Sequence, residues 1–301
     1  MPQTWLIVGA SSGFGLELVS CLLTRGDRVI ATARAPSTTH LYLEPENASK
    51  LWSLTGGLNG SNLTILECDV DNENRIQAFR DQIRMLGRAG RVLEHGVIDF
   101  VVFNPSISNF PKRNSEITFS AFNHFLHRIA IGPLTVAQQL LRLSSLPLHE
   151  TLISLKGFVS SIKIRTLVFI SSDFWVTIKS QEFGHGNGAF AASMAALNQG
   201  LRHMAAELQR KASVEGTKSP AILAIHPGNL NDLRKDTANL FWQVESRIKL
   251  RELTKSLIKI IKEKGHGGMD EGGWLTAEKE GGRVESGEAS FWTWDGKRYV
   301  E

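Results

Sequence analysis

Apolar positions in the first third of the chain alternate between short continuous runs and helical spacings. Thr4 to Val8 is a run of strand length that breaks at Gly9. Leu16, Leu18, Val19, Leu22 and Leu23 then continue at helical spacing from an entry at Gly13. Arg28 to Arg34 reads as a second strand ending in a cation. Residues 35–61 are loop-rich, with a short helix near Ala48 to Leu54 and a Gly-Gly-Leu-Asn-Gly turn. Asn62 to Glu67 is a third strand. Ile76, Phe79, Ile83 and Leu86 mark a helix over residues 73–86. Ile98 to Asn104 is apolar enough for a strand buried on both faces. Strand, helix and strand in this alternation predict an α/β fold, a doubly wound parallel sheet with right-handed crossovers. Farther on, Phe190, Met194, Leu197, Leu201, Met204 and Leu208 recur at intervals of three and four, one long apolar helical stripe. On pattern alone that stripe is core or a contact between subunits.

The first turn carries chemistry. Gly9-Ala10-Ser11-Ser12-Gly13-Phe14-Gly15 lies between a strand and a helix. Glycine at the break allows a tight turn, and the glycines let a pyrophosphate approach the main chain at the positive end of the helix dipole. In such a Rossmann-type unit the end of the second strand meets the adenosine ribose. A carboxylate there would hold the ribose hydroxyls and repel a 2′-phosphate. This chain has Arg34 instead, which suits that phosphate and points to NADP(H) rather than NAD(H). Asp69 at the end of the third strand is placed to accept from an adenine amino group, with the Val70 amide serving the ring.

Bulk properties narrow the class further. A chain of 301 residues suits one large domain, residues 1–301, with a substantial core. No run of about 18 apolar residues occurs, so no membrane span is expected. The first strand begins at once, which leaves no room for a signal peptide. Cys21 and Cys68 make no disulfide framework and are expected as buried thiols in a reducing, cytoplasmic setting. No spacing of His, Cys, Asp or Glu suggests a metal. The net charge of +4 is dispersed; it favours a polyanionic cofactor without making a nucleic-acid footprint.

With these residues in view the chain resembles the short-chain dehydrogenase/reductase family over nearly its whole length. Gly9 to Gly15 matches the family's cofactor glycines and Asp69-Val70 its adenine contact. Asn104 is similar to the asparagine that steadies the central strand. The usual Asn-Ala-Gly has become Asn104-Pro105-Ser106, with Ser106 still counted among the cofactor positions. His226-Pro227-Gly228 resembles the turn over the nicotinamide, which implies cofactor contacts from Pro227, Gly228 and Leu230. Asp232 stands where a threonine would serve the carboxamide. Phe291 to Gly296 is like the family's last strand.

The resemblance also implies a serine, a tyrosine, a lysine four residues later and an asparagine on a preceding long helix, and here it departs. Leu167 to Ser172 supplies a strand and, at Ser172, the serine. Phe190 stands at the tyrosine position, Met194 at the lysine position, and Ile129, in a long helix from Phe119 to Leu143, at the asparagine position. The only tyrosines are Tyr42 and Tyr299, and neither is followed by a lysine four residues later. Phe190 is expected to face the cofactor cleft, keeping the ring without its hydroxyl. Asp173 and His185 are the candidate substitute acids, His185 lying thirteen residues after Ser172. Trp175 is a candidate for stacking on a flat substrate. His127, Arg128 and His226 read as loop or surface groups.

Three segments exceed a minimal version of the fold: Leu148 to Lys163, Leu233 to Gly265, and the glycine-rich stretch from Gly265 to Ser286. In the family the second lids the substrate, and its apolar content suggests a hydrophobic ligand. Lys249, Arg251, Lys255, Lys259 and Lys262 read as its solvated face. The expectation is an atypical NADP(H)-dependent reductase of a hydrophobic small molecule, an imine or conjugated acceptor of secondary metabolism, working as a homodimer or homotetramer. A non-redox cyclase or isomerase and a non-catalytic NADP(H)-binding protein are the alternatives.

Overall fold

A computed structural model describes residues 2–34, 45–89, 93, 96–104, 115–144, 161–172, 188–228, 250–268 and 289–298, the side chains of 45–48 and 88–89 excepted. Seven strands, β1 Thr4–Val8, β2 Arg28–Ala33, β3 Leu63–Glu67, β4 Val97–Phe103, β5 Lys163–Ile170, β6 Ala221–His226 and β7 Ser290–Thr293, form one sheet in the order β3-β2-β1-β4-β5-β6-β7. The helices are α1 Gly13–Thr24, α2 Pro45–Ser53, α3 Glu73–Ala89, α4 Phe119–Leu126, α5 Gly132–Arg142, α6 Gly188–Glu215 and α7 Leu250–Lys264. The chain divides into two compact units, residues 1–105 with 132–168, and residues 106–131 with 169–301.

In the first unit β1 pairs in parallel with both β2 and β4, and β2 with β3. Every residue of β1 is buried, as a strand covered on both faces requires. Trp5 stacks on Phe100 of β4 with ring centroids 4.2 Å apart. Asp99 ties the layer together: its Oδ2 accepts from Thr4 N–H at 2.9 Å, and its Oδ1 from Arg165 at 2.8 Å. Helix α3 packs against α5, where Arg80 donates to Gln139 at 3.1 Å. Strand order reverses between β1 and β4, so the crevice beyond their carboxyl ends is the place where this architecture binds ligands.

In the second unit α6 packs against α4 and against a π-helical turn at His127–Ile131. The helix expected from Phe119 to Leu143 is therefore one run, Phe119–Arg142, whose α-ladder is interrupted by a π-turn. The sequence supplies the reason. Pro133 has no N–H to offer the carbonyl four residues back, that of Ile129, so a regular α-ladder cannot run through this point. Strand β6 pairs in parallel with β7, Leu223 opposite Ser290. Helix α7 buries Leu253, Thr254, Leu257, Ile258, Ile260 and Ile261, and its Ser256 donates to Trp294 O at 2.7 Å. Arg251, Lys255 and Lys259 on its other side are exposed, as a solvated face predicts. Among the described residues no helix is long and apolar enough to cross a membrane, and no group of His, Cys, Asp and Glu could hold a metal.

Candidate active site

The turn after β1 sits at the strand-order reversal, and its atoms are held from two sides. Gly9 has φ +88°, and a Cβ placed on it would stand 2.5 Å from Asn104 O. Gly9 N–H donates to Thr32 Oγ1 at 3.1 Å and Ala10 N–H to Thr32 O at 3.0 Å. From the other side Asn104 Nδ2 donates to Gly9 O at 3.0 Å, while Asn104 N–H continues the ladder to Val8 O at 2.9 Å. A Cβ on Gly15 would run into Gly9 O, so helix and turn approach as closely as backbone allows. Gly13 differs: its φ is +54° and nothing lies within 4 Å of where a Cβ would stand, so the open side is here.

That geometry fits a pyrophosphate. The Ser12 hydroxyl makes no capping hydrogen bond and the first turn of α1 has no acidic residue, so neither competes for the orphan amides there. Ser11 and Ser12 are half-buried beside the turn, and Phe14 and Gly15 are buried beneath it. Arg34 is exposed just past β2. Asp69 and Val70 are half-buried after β3, and one Asp69 carboxylate oxygen accepts from Asp71 N–H at 3.1 Å. Cys68, just before them, is buried, and burial pushes its thiol up to about 12, with the Asp69 and Glu67 charges adding to the shift. Cys21 is buried likewise and donates weakly to Glu17 at 3.6 Å.

The second unit holds the four positions at which the family's proton relay is expected. Ser172 is buried directly after β5. Phe190, in the first turn of α6, keeps part of its surface, whereas Met194 one turn later is buried. Ile129 is buried within the π-turn that α6 packs against. Pro227 is buried and Gly228 has φ +78°, with the Trp294 ring 2.8 Å from the place of a Cβ. Asp173, Trp175, His185, Ser106 and Leu230 lie outside the described residues.

Two residues of this region were not anticipated. Thr32, buried in β2, holds the Gly9–Ala10 turn; a buried threonine next to a strand end was its only signal. Asn198 accepts from the Ser171 hydroxyl at 3.0 Å. An amide at 198, four residues after Met194 and three before Leu201 on the apolar face, is the mark that would have found it.

Residues 3–146 match the family model of the short chain dehydrogenases. Over that stretch the chain is similar to the short chain dehydrogenases, and its sheet has the Rossmann-type strand order. No curated protein sequence matches it. Among solved structures, the carbonyl reductase Sniffer of D. melanogaster is similar with a TM-score of 0.66 at 18% identity, over 100% of both chains. An NADPH-bound carbonyl reductase from chicken fatty liver has a TM-score of 0.60 at 19% identity, over 100% of this chain and 94% of that one. A carbonyl reductase from Pseudomonas aeruginosa PAO1 in complex with NADP has a TM-score of 0.60 at 20% identity, over 99% of each. At these identities the likeness is one of fold. The matched stretch includes the glycine turn of residues 9–15; Phe190 and Met194 lie beyond it.

Proposed function

We propose that this chain is an NADP(H)-dependent reductase of the short-chain type, acting on a hydrophobic small molecule whose reduction needs no acid of the tyrosine-lysine kind. One observation carries the reading: the close-packed glycine cradle is kept, while the three relay positions that the resemblance assigns to Phe190, Met194 and Ile129 are apolar. Gly9, Gly13 and Gly15, the amides at Ser11 to Phe14, and Asn104 would hold the pyrophosphate side. Arg34 is the group for a 2′-phosphate, and Asp69 with Val70 for the adenine. Pro227 and Gly228 are assigned to the nicotinamide side. The group supplies a hydride when bound.

The chain's own residues limit what that hydride can do. Phe190 presents a ring and no proton, Met194 no cation, and Ile129 no relay. A ketone needs an acid to quench the alkoxide, and a positioned acid contributes about 10²–10⁴-fold in rate. An iminium carbon accepts a hydride and becomes a neutral amine with no proton supplied. A conjugated alkene needs a proton only at carbon, which water can deliver. Both classes suit a site whose remaining polar group among the described relay positions is the Ser172 hydroxyl. Asp173, His185 and Trp175 are proposed to complete the pocket, with a cytoplasmic homo-oligomer as the working assembly.

Titration with NADPH followed by panels of cyclic imines, enones and simple ketones tests this. Loss of nicotinamide absorbance with an imine or enone, and at least tenfold less with ketones, is the expected result. Product formation without oxidation of NADPH would identify a cyclase or isomerase. Tight binding without turnover of any member would identify a cofactor-binding protein.

A further inference from the structure

We propose that Asn198 is a positioning residue for Ser172, acting through Ser171. The end of β5 is held at Ser171 by two different bonds. Its N–H donates to Ile225 O at 2.9 Å, which keeps it in the ladder with β6. Its hydroxyl donates to Asn198 Oδ1 at 3.0 Å, with Met194 Sδ 4.0 Å away, which ties the same residue to α6. Ser172 is the next residue along the chain. Asn198 lies four residues beyond Met194 and eight beyond Phe190, on one face of the helix that carries both. One side-chain bond therefore sets the height of Ser172 along that face.

The cluster is dry: Ser171 is 6% exposed, Met194 4% and Asn198 1%. Asn198 Nδ2 is buried with no hydrogen-bond partner among the described residues. An unpaired buried amide donor is destabilising, and a leucine, as at 197 and 201, would fill the volume without that cost. What the amide adds over leucine is the acceptor for Ser171. A hydrogen bond in such surroundings is directional and stiff, as a positioning contact must be. Met194, uncharged where the family resemblance expects lysine, leaves the Ser171 hydroxyl to this one strong partner.

This inference rests on reading Ser172 as the polar group of the site, so its test has a readout that needs no substrate. In 15N-serine-labelled full-length protein, the Ser172 amide signal is assigned by its loss in Ser172→Ala. Ser171→Ala and Asn198→Leu are expected to shift that signal and to speed its hydrogen exchange at least tenfold. With an active acceptor they should lower kcat at least tenfold while KM stays within about twofold. Ser171→Thr, which keeps the hydroxyl, should restore both. Ser171→Ala removes a single oxygen and serves if Asn198→Leu fails to fold. A lowered melting temperature with an unmoved Ser172 signal would make the contact merely structural and overturn the proposal. Absence of turnover in the unmodified chain would sink the hydride-transfer reading alone. The amide signal would then decide the positioning role, a shift supporting it and no shift ending it.

Discussion

At the scale of single residues, Gly9 is constrained twice over, by its backbone angle and by its neighbour. Its positive φ excludes most side chains, and its missing Cβ is the space that Asn104 O occupies. Gly9→Ala should therefore cost about 2–4 kcal/mol of stability and abolish NADPH binding, as read by chemical denaturation and nicotinamide fluorescence. Cys68 gives a prediction in pH. Its thiol is raised in the fold from 9.0 to about 12, so the folded state stays protonated where the unfolded state ionises. Stability from this group is intact below pH 9.0 and is lost as pH rises through about 12. Between pH 8 and 10 the loss should be roughly 1 kcal/mol, from about 1.36 kcal/mol per unit. Cys68→Ser should remove that slope in urea titrations. The same burial predicts that Cys68 resists alkylation at pH 8 until the chain is unfolded. A native-state reaction as fast as that of a free thiol would contradict the assignment.

At the scale of elements, the π-turn at His127–Ile131 and the first two turns of α6 carry the positions on which the proposed chemistry rests. Ile129 is buried in the turn, four residues before Pro133, whose missing N–H accounts for the local distortion without a polar residue at that position. Helix α6 keeps its stripe while burying Ser193 and Asn198 among the apolar residues; Ser193 returns its hydroxyl to Ala189 O at 2.7 Å. If the resemblance places Phe190 correctly, Phe190→Tyr combined with Met194→Lys should raise ketone reduction about 10²–10⁴-fold over the unmodified chain. Met194→Lys alone should give little, because a buried ammonium without the phenol has nothing to acidify and is itself costly. A gain from the lysine alone, measured as ketone-dependent NADPH oxidation, would show that another group supplies the proton.

At the scale of the whole molecule, binding should stabilise the fold by mass action. NADPH at about a hundred times its Kd should add about 2.7 kcal/mol. NADH should require a far higher concentration for the same rise in melting temperature, because Arg34 would have no 2′-phosphate to meet. Equal shifts from both nucleotides would remove Arg34 from the site. Arg34→Asp should reverse the preference, with Kd for NADPH rising at least tenfold.

The local order of strands and helices through β4 and the glycine turn were legible in the chain. These depend on periodicity and on steric rules that act over a few residues. The break in the central helix was legible in principle, since Pro133 stands in the sequence, but its outcome as a π-turn depends on how the preceding turn packs. Which side chains close a site was not legible. Thr32 meets Gly9 across 23 positions, Asn104 across 95, and Ser171 meets Asn198 across 27. Hydrogen bonds between such distant partners exist only once parallel strands and a crossing helix have set the distances, and no spacing along the chain encodes them.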